Sequence, residues 1–224
     1  MQPVLENLSQ HPLRRSLIHH EFFKLIKTED VSIRSAGIFI GQWWHPLHFF
    51  PTFLSGAIAS VAELEMKTAI STILFQELGE GNPARAHERL YIETMTKAGF
   101  PRSTITEAPA FETTKDLISG YRKASASPLT ALGFLYGTEV ADLAMVSGIG
   151  QAVRKATGIR ELPWVDVHVA QEPGHVEEAN QAISSAFSDN AEAQILSSAE
   201  EMWSLWIAFF STLHEQFQSE HQLA

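Results

Sequence analysis

The ten-residue segment DVHVAQEPGH carries the clearest chemical signal in the sequence. Its residues His168, Glu172 and His175 stand at positions i, i+4 and i+7, so they project from one face of a helix. Two imidazoles and a carboxylate suit iron, manganese or zinc. An exposed polar face is the alternative, but the Pro–Gly pair between Glu172 and His175 interrupts the helix pattern, as is common at functional sites.

Glu139 is a second candidate ligand because it lies in the apolar and small-residue run LGFLYGTEVADLAMV. A carboxylate on the buried face of such a helix needs a partner, since burying an unpaired charge is costly. That partner is either a metal ion or an Arg or Lys across the bundle. Asp142, about one turn later, is the alternative inward carboxylate.

The segment FQELGEGNPARAHERLY supplies a third pair, in which Glu77 closes one helix and His87 lies in the next. Glu80 is a competing carboxylate, and Asn82 before a proline is typical of a helix start. Taken alone, His87 has the pattern of a solvated helix face. In combination, helices that each bring Glu or His inward are how bundles build carboxylate-bridged di-iron sites.

Composition limits the alternatives. The 224 residues contain no cysteine, which leaves nitrogen and oxygen as metal ligands and excludes thiolate chemistry. The net charge of −10 and the scattered basic residues disfavour a nucleic-acid partner. Only one Glu-x-x-His motif occurs, Glu172 with His175, so a ferritin-type site cannot be assembled. The first residues lack a signal-peptide core and no run reaches about 18 apolar residues, so we expect a cytoplasmic protein that does not enter a membrane.

Helical periodicity recurs along most of the chain, and no convincing strand pattern is found. The pattern predicts an all-α, single-domain bundle of about seven or eight helices over residues 1–224. The predicted helices are 12–28, 31–61 with bends at Pro46 and Pro51, 62–78, 83–98, 114–124, 128–156, 164–187 and 190–219.

These motifs together resemble the heme-oxygenase-like di-iron oxidases, also called the iron-containing redox enzyme family, over roughly residues 36–180. The matching motifs are ELGEGNPARAH, LYGTE and HVAQEPGH, the last with Glu172 where the family usually has Asp. The resemblance implies that one iron is bound by Glu77, His87 and His168. It implies that Glu139, Glu172 and His175 bind the other.

The aromatic segment IGQWWHPLHFFP is similar to the early helix that lies near the substrate pocket in this family. We interpret its histidines, His45 and His48, as packing residues rather than ligands, because they stand among tryptophans and phenylalanines.

The resemblance also implies a function: a non-heme di-iron enzyme that uses O2 and two Fe(II)/Fe(III) ions on a small carboxylate-bearing substrate, either an amino acid or a fatty acid. A homodimer is expected on the same ground. The alternatives are a self-sacrificing p-aminobenzoate-type synthase, for which Tyr136 is the best-placed tyrosine, a metal-free helical binding protein, and a zinc hydrolase.

Overall fold

The computed structural model of the protein describes residues 3–184 and 189–223, apart from the side chains of residues 3, 4, 172, 184, 189, 190 and 221–223. The described residues form eleven α-helices and one 3-10 turn, and no strand is found among them. The helices are α1 (Pro3–Ser9), α2 (Pro12–Ile18), α3 (Glu21–Thr28), α4 (Ile33–Ser60), α5 (Leu64–Glu77), α6 (His87–Lys97), α7 (Arg102–Thr106), α8 (Glu112–Ala124), α9 (Pro128–Thr157), α10 (Pro163–Ser184) and α11 (Asp189–Leu223).

The all-α prediction is confirmed, and the helix count is slightly above the predicted one. The predicted helix 12–28 is two helices, because the chain turns at His20, whose ring accepts a hydrogen bond from the amide of Phe22 and caps α3. The short helices α1 and α7 were not predicted. The predicted helix 83–98 begins instead as a 3-10 turn, Pro83–Arg85, before α6.

Helix α9 runs through the middle of the bundle, where it contacts α11, α10 and α4. Small residues allow this close packing: a β carbon on Gly133 would lie 2.5 Å from the carbonyl oxygen of Ile195 on α11. By length and composition alone, α9 is apolar enough to cross a membrane, contrary to the sequence prediction, but 67% of its most apolar window is buried inside the protein. A buried core helix of this kind has the same composition as a membrane span.

A buried glutamine fixes α4 beside the site described below. The side-chain amide of Gln42 donates to the carbonyl of Pro109 at 2.9 Å, while its oxygen accepts from the amide of Phe111 and the hydroxyl of Thr114. These bonds join α4 to the first turn of α8 and to the segment that leads into it. They therefore hold Trp43, the next residue of α4, in a fixed position.

Candidate metal centre

A tight turn joins the two helix ends that carry Glu77 and His87. Residues 79–81 all have positive φ angles, of 85°, 55° and 82°. A β carbon on Gly79 would lie 2.5 Å from the amide nitrogen of Ala86, so this position accepts only glycine without rearrangement. The turn brings the last residue of α5 back against the first residue of α6.

The other polar residues of this turn have local roles. Asn82 accepts a hydrogen bond from the amide of Ala84 at 3.0 Å, as its capping position predicts. Glu80, the competing carboxylate, forms an ion pair with Arg85 at 2.8 Å, and its side chain is 35% exposed. Glu80 therefore faces outward, and Glu77 is the buried carboxylate of the pair.

Glu77, His87 and His168 form a buried cluster from three helices. One ligand atom from each lies within 4.8 Å of the other two, which is close enough to share a metal ion. His87 Nδ1 is 3.0 Å from Glu77 Oε1, yet the two atoms do not form a well-aligned hydrogen bond. Burial acts to raise the pKa of Glu77, but the neighbouring histidines outweigh it and hold that pKa below its ordinary value.

His168 is oriented by its own helix. Its ring lies with Nδ1 2.9 Å from the carbonyl oxygen of Trp164, one turn earlier, so Nδ1 donates and the lone pair remains on Nε2. Burial lowers the pKa of His168 to about 4, which leaves the ring neutral at pH 7. A neutral, oriented imidazole is the form that binds a metal ion.

Glu139 of α9 and His175 of α10 form a second buried pair. His175 Nδ1 lies 3.4 Å from Glu139 Oε2. Burial acts to lower the pKa of His175, but contact with Glu139 prevails and raises it to about 9. The second atoms of the two groups, Glu139 Oε1 and His175 Nε2, are buried without a hydrogen-bond partner.

One cavity of about 40 Å³ joins the two groups of residues. Its wall includes the four side chains Glu77, Glu139, His168 and His175, together with Asp142. Asp142 therefore lines the same cavity as Glu139, and both remain candidate ligands. The rest of the wall is mainly aromatic and apolar: Trp43, Pro46, Leu47, Phe50, Tyr121, Thr138, Trp164 and Trp206.

The structure places three other candidates away from this cavity. His45 bonds to the carbonyl of Ala108 and His48 to the carboxylate of Glu88, as expected for residues that are not ligands. Tyr136 is buried but is not in the cavity wall. The side chain of Glu172 lies outside the described residues, so its role stays a prediction.

Tyr121 of α8 is the tyrosine found in the described cavity wall, and sequence reasoning missed it. Its hydroxyl lies 2.8 Å from Thr138 Oγ1. No motif surrounds Tyr121; only its place on the apolar face of α8 gives a signal.

The donor set fits a metal ion. Buried carboxylate and imidazole atoms without hydrogen-bond partners destabilise a fold unless a ligand takes up their lone pairs. Here Glu139 Oε1 and His175 Nε2 have no such partner, and Glu77, His87 and His168 converge on one point. Nitrogen and carboxylate oxygen ligands of this kind are suitable for iron.

Comparison with solved structures shows the fold. A CADD-like protein of unknown function from Nostoc punctiforme superposes with a TM-score of 0.80 at 11% identity, covering 96% of this chain and 95% of that one. A domain of unknown function with a heme oxygenase-like fold from Shewanella denitrificans gives 0.76 at 16% identity, covering 98% and 94%. A TenA homologue from Pseudomonas syringae pv. tomato gives 0.74 at 11% identity, covering 95% and 93%.

Comparison by sequence identifies the family. A search of curated proteins gave no match. The family model described as iron-containing redox enzyme matches residues 38–207, which is about three quarters of the chain and includes every residue of the cluster. This protein therefore belongs to the iron-containing redox enzyme family, with a heme-oxygenase-like fold.

Proposed function

We propose that the protein is a non-heme di-iron oxidase or oxygenase that uses O2 to oxidise a small organic substrate bearing a carboxylate, either an amino acid or a fatty acid. The observation that carries this proposal is the pairing of two buried Glu–His contacts across one cavity. Glu77, His87 and His168 would hold one iron. Glu139, Glu172 and His175 would hold the other.

Two bound ferrous ions would supply the electrons that reduce O2. The residues of the chain would balance the charge of the ions and orient the groups that bind them. Their carboxylates offset much of the positive charge of the ions, and the hydrogen bond from His168 to the carbonyl of Trp164 fixes the ring that faces them. His175 would lose a ring proton on binding an ion, because Glu139 holds the pKa of His175 at about 9 in the metal-free chain.

The cavity wall favours an apolar substrate body. Trp43, Pro46, Leu47 and Phe50, all on α4, form one side of the cavity, and Trp206 of α11 forms another. These side chains exclude water from the reacting group and strengthen the electrostatic interactions of the charged residues. A substrate would therefore contact the ions with a polar end and α4 with an apolar part.

Oxygen uptake tests the proposal. The chain is loaded anaerobically with Fe(II), exposed to O2 in the presence of candidate amino and fatty acids, and followed with an oxygen electrode. We expect uptake from the unaltered chain and none from His168→Ala. The matched control is His48→Ala, which removes an exposed histidine outside the cavity and should leave uptake unchanged. Equal uptake by all three proteins would contradict the proposal, and turnover without O2 would indicate the hydrolase alternative.

Tyr121 favours a second candidate, in which the protein oxidises one of its own side chains. The structure places this tyrosine in the cavity wall, where the sequence had pointed to Tyr136. Mass spectrometry after exposure of the iron-loaded chain to O2 separates the two: modification at Tyr121 without added substrate supports the second candidate. The cytoplasmic location and the homodimer stay predictions.

A further inference from the structure

Several residues of the cavity wall have a buried polar atom that forms no hydrogen bond within the protein. Among the described residues, nine buried side-chain nitrogen or oxygen atoms have no hydrogen-bond partner, and five of these belong to the cavity wall. Two of the five are Glu139 Oε1 and His175 Nε2, which suit a metal ion. The other three are the indole nitrogens of Trp43, Trp164 and Trp206.

These three tryptophans are almost completely enclosed, with 4%, 0% and 2% of their surface exposed. An indole N–H can only donate, so it cannot bind a cation through its nitrogen. Burying it without an acceptor destabilises the fold unless a ligand supplies that acceptor. The carboxylates and histidines of the site can bind a cation, whereas the three indoles can bind only a group that accepts hydrogen bonds.

The two hydroxyl groups of the wall do not compete for this ligand. Thr138 donates its hydroxyl hydrogen to the carbonyl of Phe134, and the Tyr121 hydroxyl then donates to Thr138. No Lys or Arg belongs to the described wall of the cavity. A negatively charged ligand group would thus meet indole donors rather than a lysine or an arginine.

The three tryptophans form one connected surface. The ring of Trp164 lies 6.4 Å from that of Trp43, and Trp43 lies 5.1 Å from Trp206. Trp164 also lies 4.3 Å from the ring of His168, so the donors begin beside the metal ligands. The Trp206 indole is close enough to the Tyr121 hydroxyl to interact with it, although no hydrogen bond joins the two, so Trp43 and Trp164 are the freer donors.

We propose that the indole N–H groups of Trp43 and Trp164 bind the carboxylate of the substrate. This inference rests on the proposed function, because it assigns the residues that recognise the substrate of that same site. The carboxylate would then be held near the metal ligands, and the apolar part of the substrate would contact Pro46, Leu47 and Phe50, which line the same cavity.

Binding of hexanoate, a simple aliphatic carboxylate, tests this assignment. The Fe(II)-loaded chain is titrated without O2 by calorimetry, so that affinity is measured in the absence of turnover. Trp43→Phe keeps an aromatic ring but removes the N–H, and we expect hexanoate affinity to fall about ten-fold or more. Trp203→Phe is the matched control: Trp203 is equally buried, but its N–H already donates to the carbonyl of Gly137 at 2.9 Å, so hexanoate affinity should not change.

A second measurement needs no substitution in the cavity. In the diamagnetic Zn(II)-loaded chain labelled with nitrogen-15, hexanoate should shift the indole N–H resonances of Trp43 and Trp164 but not that of Trp203. Equal hexanoate affinity in Trp43→Phe and the unaltered chain, or unshifted resonances at saturation, would overturn the indole assignment alone. Metal content is measured separately on the same samples, so failure to bind iron would count against the proposed function and remove the basis of this assignment with it.

Discussion

Replacing Glu139 by glutamine in the metal-free chain should destabilise the protein in a strongly pH-dependent way. In the folded state, burial acts to lower the pKa of His175, but the carboxylate of Glu139 raises it to about 9, against an ordinary value of 6.5. The folded chain therefore holds this proton more tightly than the unfolded chain. Glu139→Gln removes the charge responsible and leaves a side chain of nearly the same shape.

The size of the effect follows from the two pKa values. Each tenfold difference in proton affinity is equivalent to about 1.4 kcal/mol, so a rise from 6.5 to about 9 contributes about 3 kcal/mol to the free energy of unfolding. A pKa that is raised by folding stabilises the folded state fully at pH values below the pKa of the unfolded chain. This stabilisation is lost as the pH rises through the pKa of the folded chain. Glu139→Gln should thus lower the free energy of unfolding by about 3 kcal/mol more at pH 6 than at pH 9.5.

Urea unfolding with a metal chelator present, followed by circular dichroism at both pH values, measures this difference. The matched control is Glu88→Gln, which removes the carboxylate from an exposed His–Glu pair with His48. Surface pairs contribute about 0–1 kcal/mol, so this control should differ little between the two pH values. A Glu139→Gln variant with the same loss of stability at both pH values would refute the coupling of these buried groups.

Three further results are expected. Fe(II) or Co(II) at a hundred times its dissociation constant should raise the melting temperature by about 5–10 °C in thermal unfolding. The reason is that an ion bound only to the folded chain stabilises it by about 2.7 kcal/mol at that concentration. An unchanged melting temperature would argue against a resident metal. His168→Ala should remove the part of this rise in melting temperature that depends on the cluster of Glu77, His87 and His168, while the helical circular-dichroism signal stays the same. An unreduced rise in melting temperature would exclude His168 as a ligand. Gly79→Ala should lower the free energy of unfolding in urea by more than about 1 kcal/mol and should also weaken metal binding. The reason is that the β carbon of the new alanine would meet backbone atoms in the turn between Glu77 and His87. Normal stability and normal metal affinity would show that the turn does not position the cluster.

The regular part of the fold was predictable because helical periodicity is a local property. The spacing within α10 predicts that His168 and His175 share one face of the helix, and both are enclosed in the structure. The capping role of Asn82 also depends only on its neighbours and was predicted. Short helices such as α7 carry too few residues to show a period, which is why the segment 100–113 had no predicted helix.

Contacts between helices were less predictable. The distance between Glu77 and His87 depends on three consecutive positive φ angles, and Glu80, which has a side chain, adopts one of them. The choice between Tyr136 and Tyr121 depends on which face of α9 meets α8, and the sequence pattern does not determine that packing. For the same reason the sequence pattern does not assign Trp206 of α11 to the cavity, although it lies in the cavity wall.

Iron content is the most direct test of the central claim. The unaltered chain, loaded anaerobically with Fe(II) and freed of loosely bound metal, should retain about two iron ions per chain, because the buried ligands form two groups. The variants His168→Ala and Glu139→Ala should each lose about one ion, since each alters a different group. Retention of fewer than about one ion by the unaltered chain would contradict a di-iron centre.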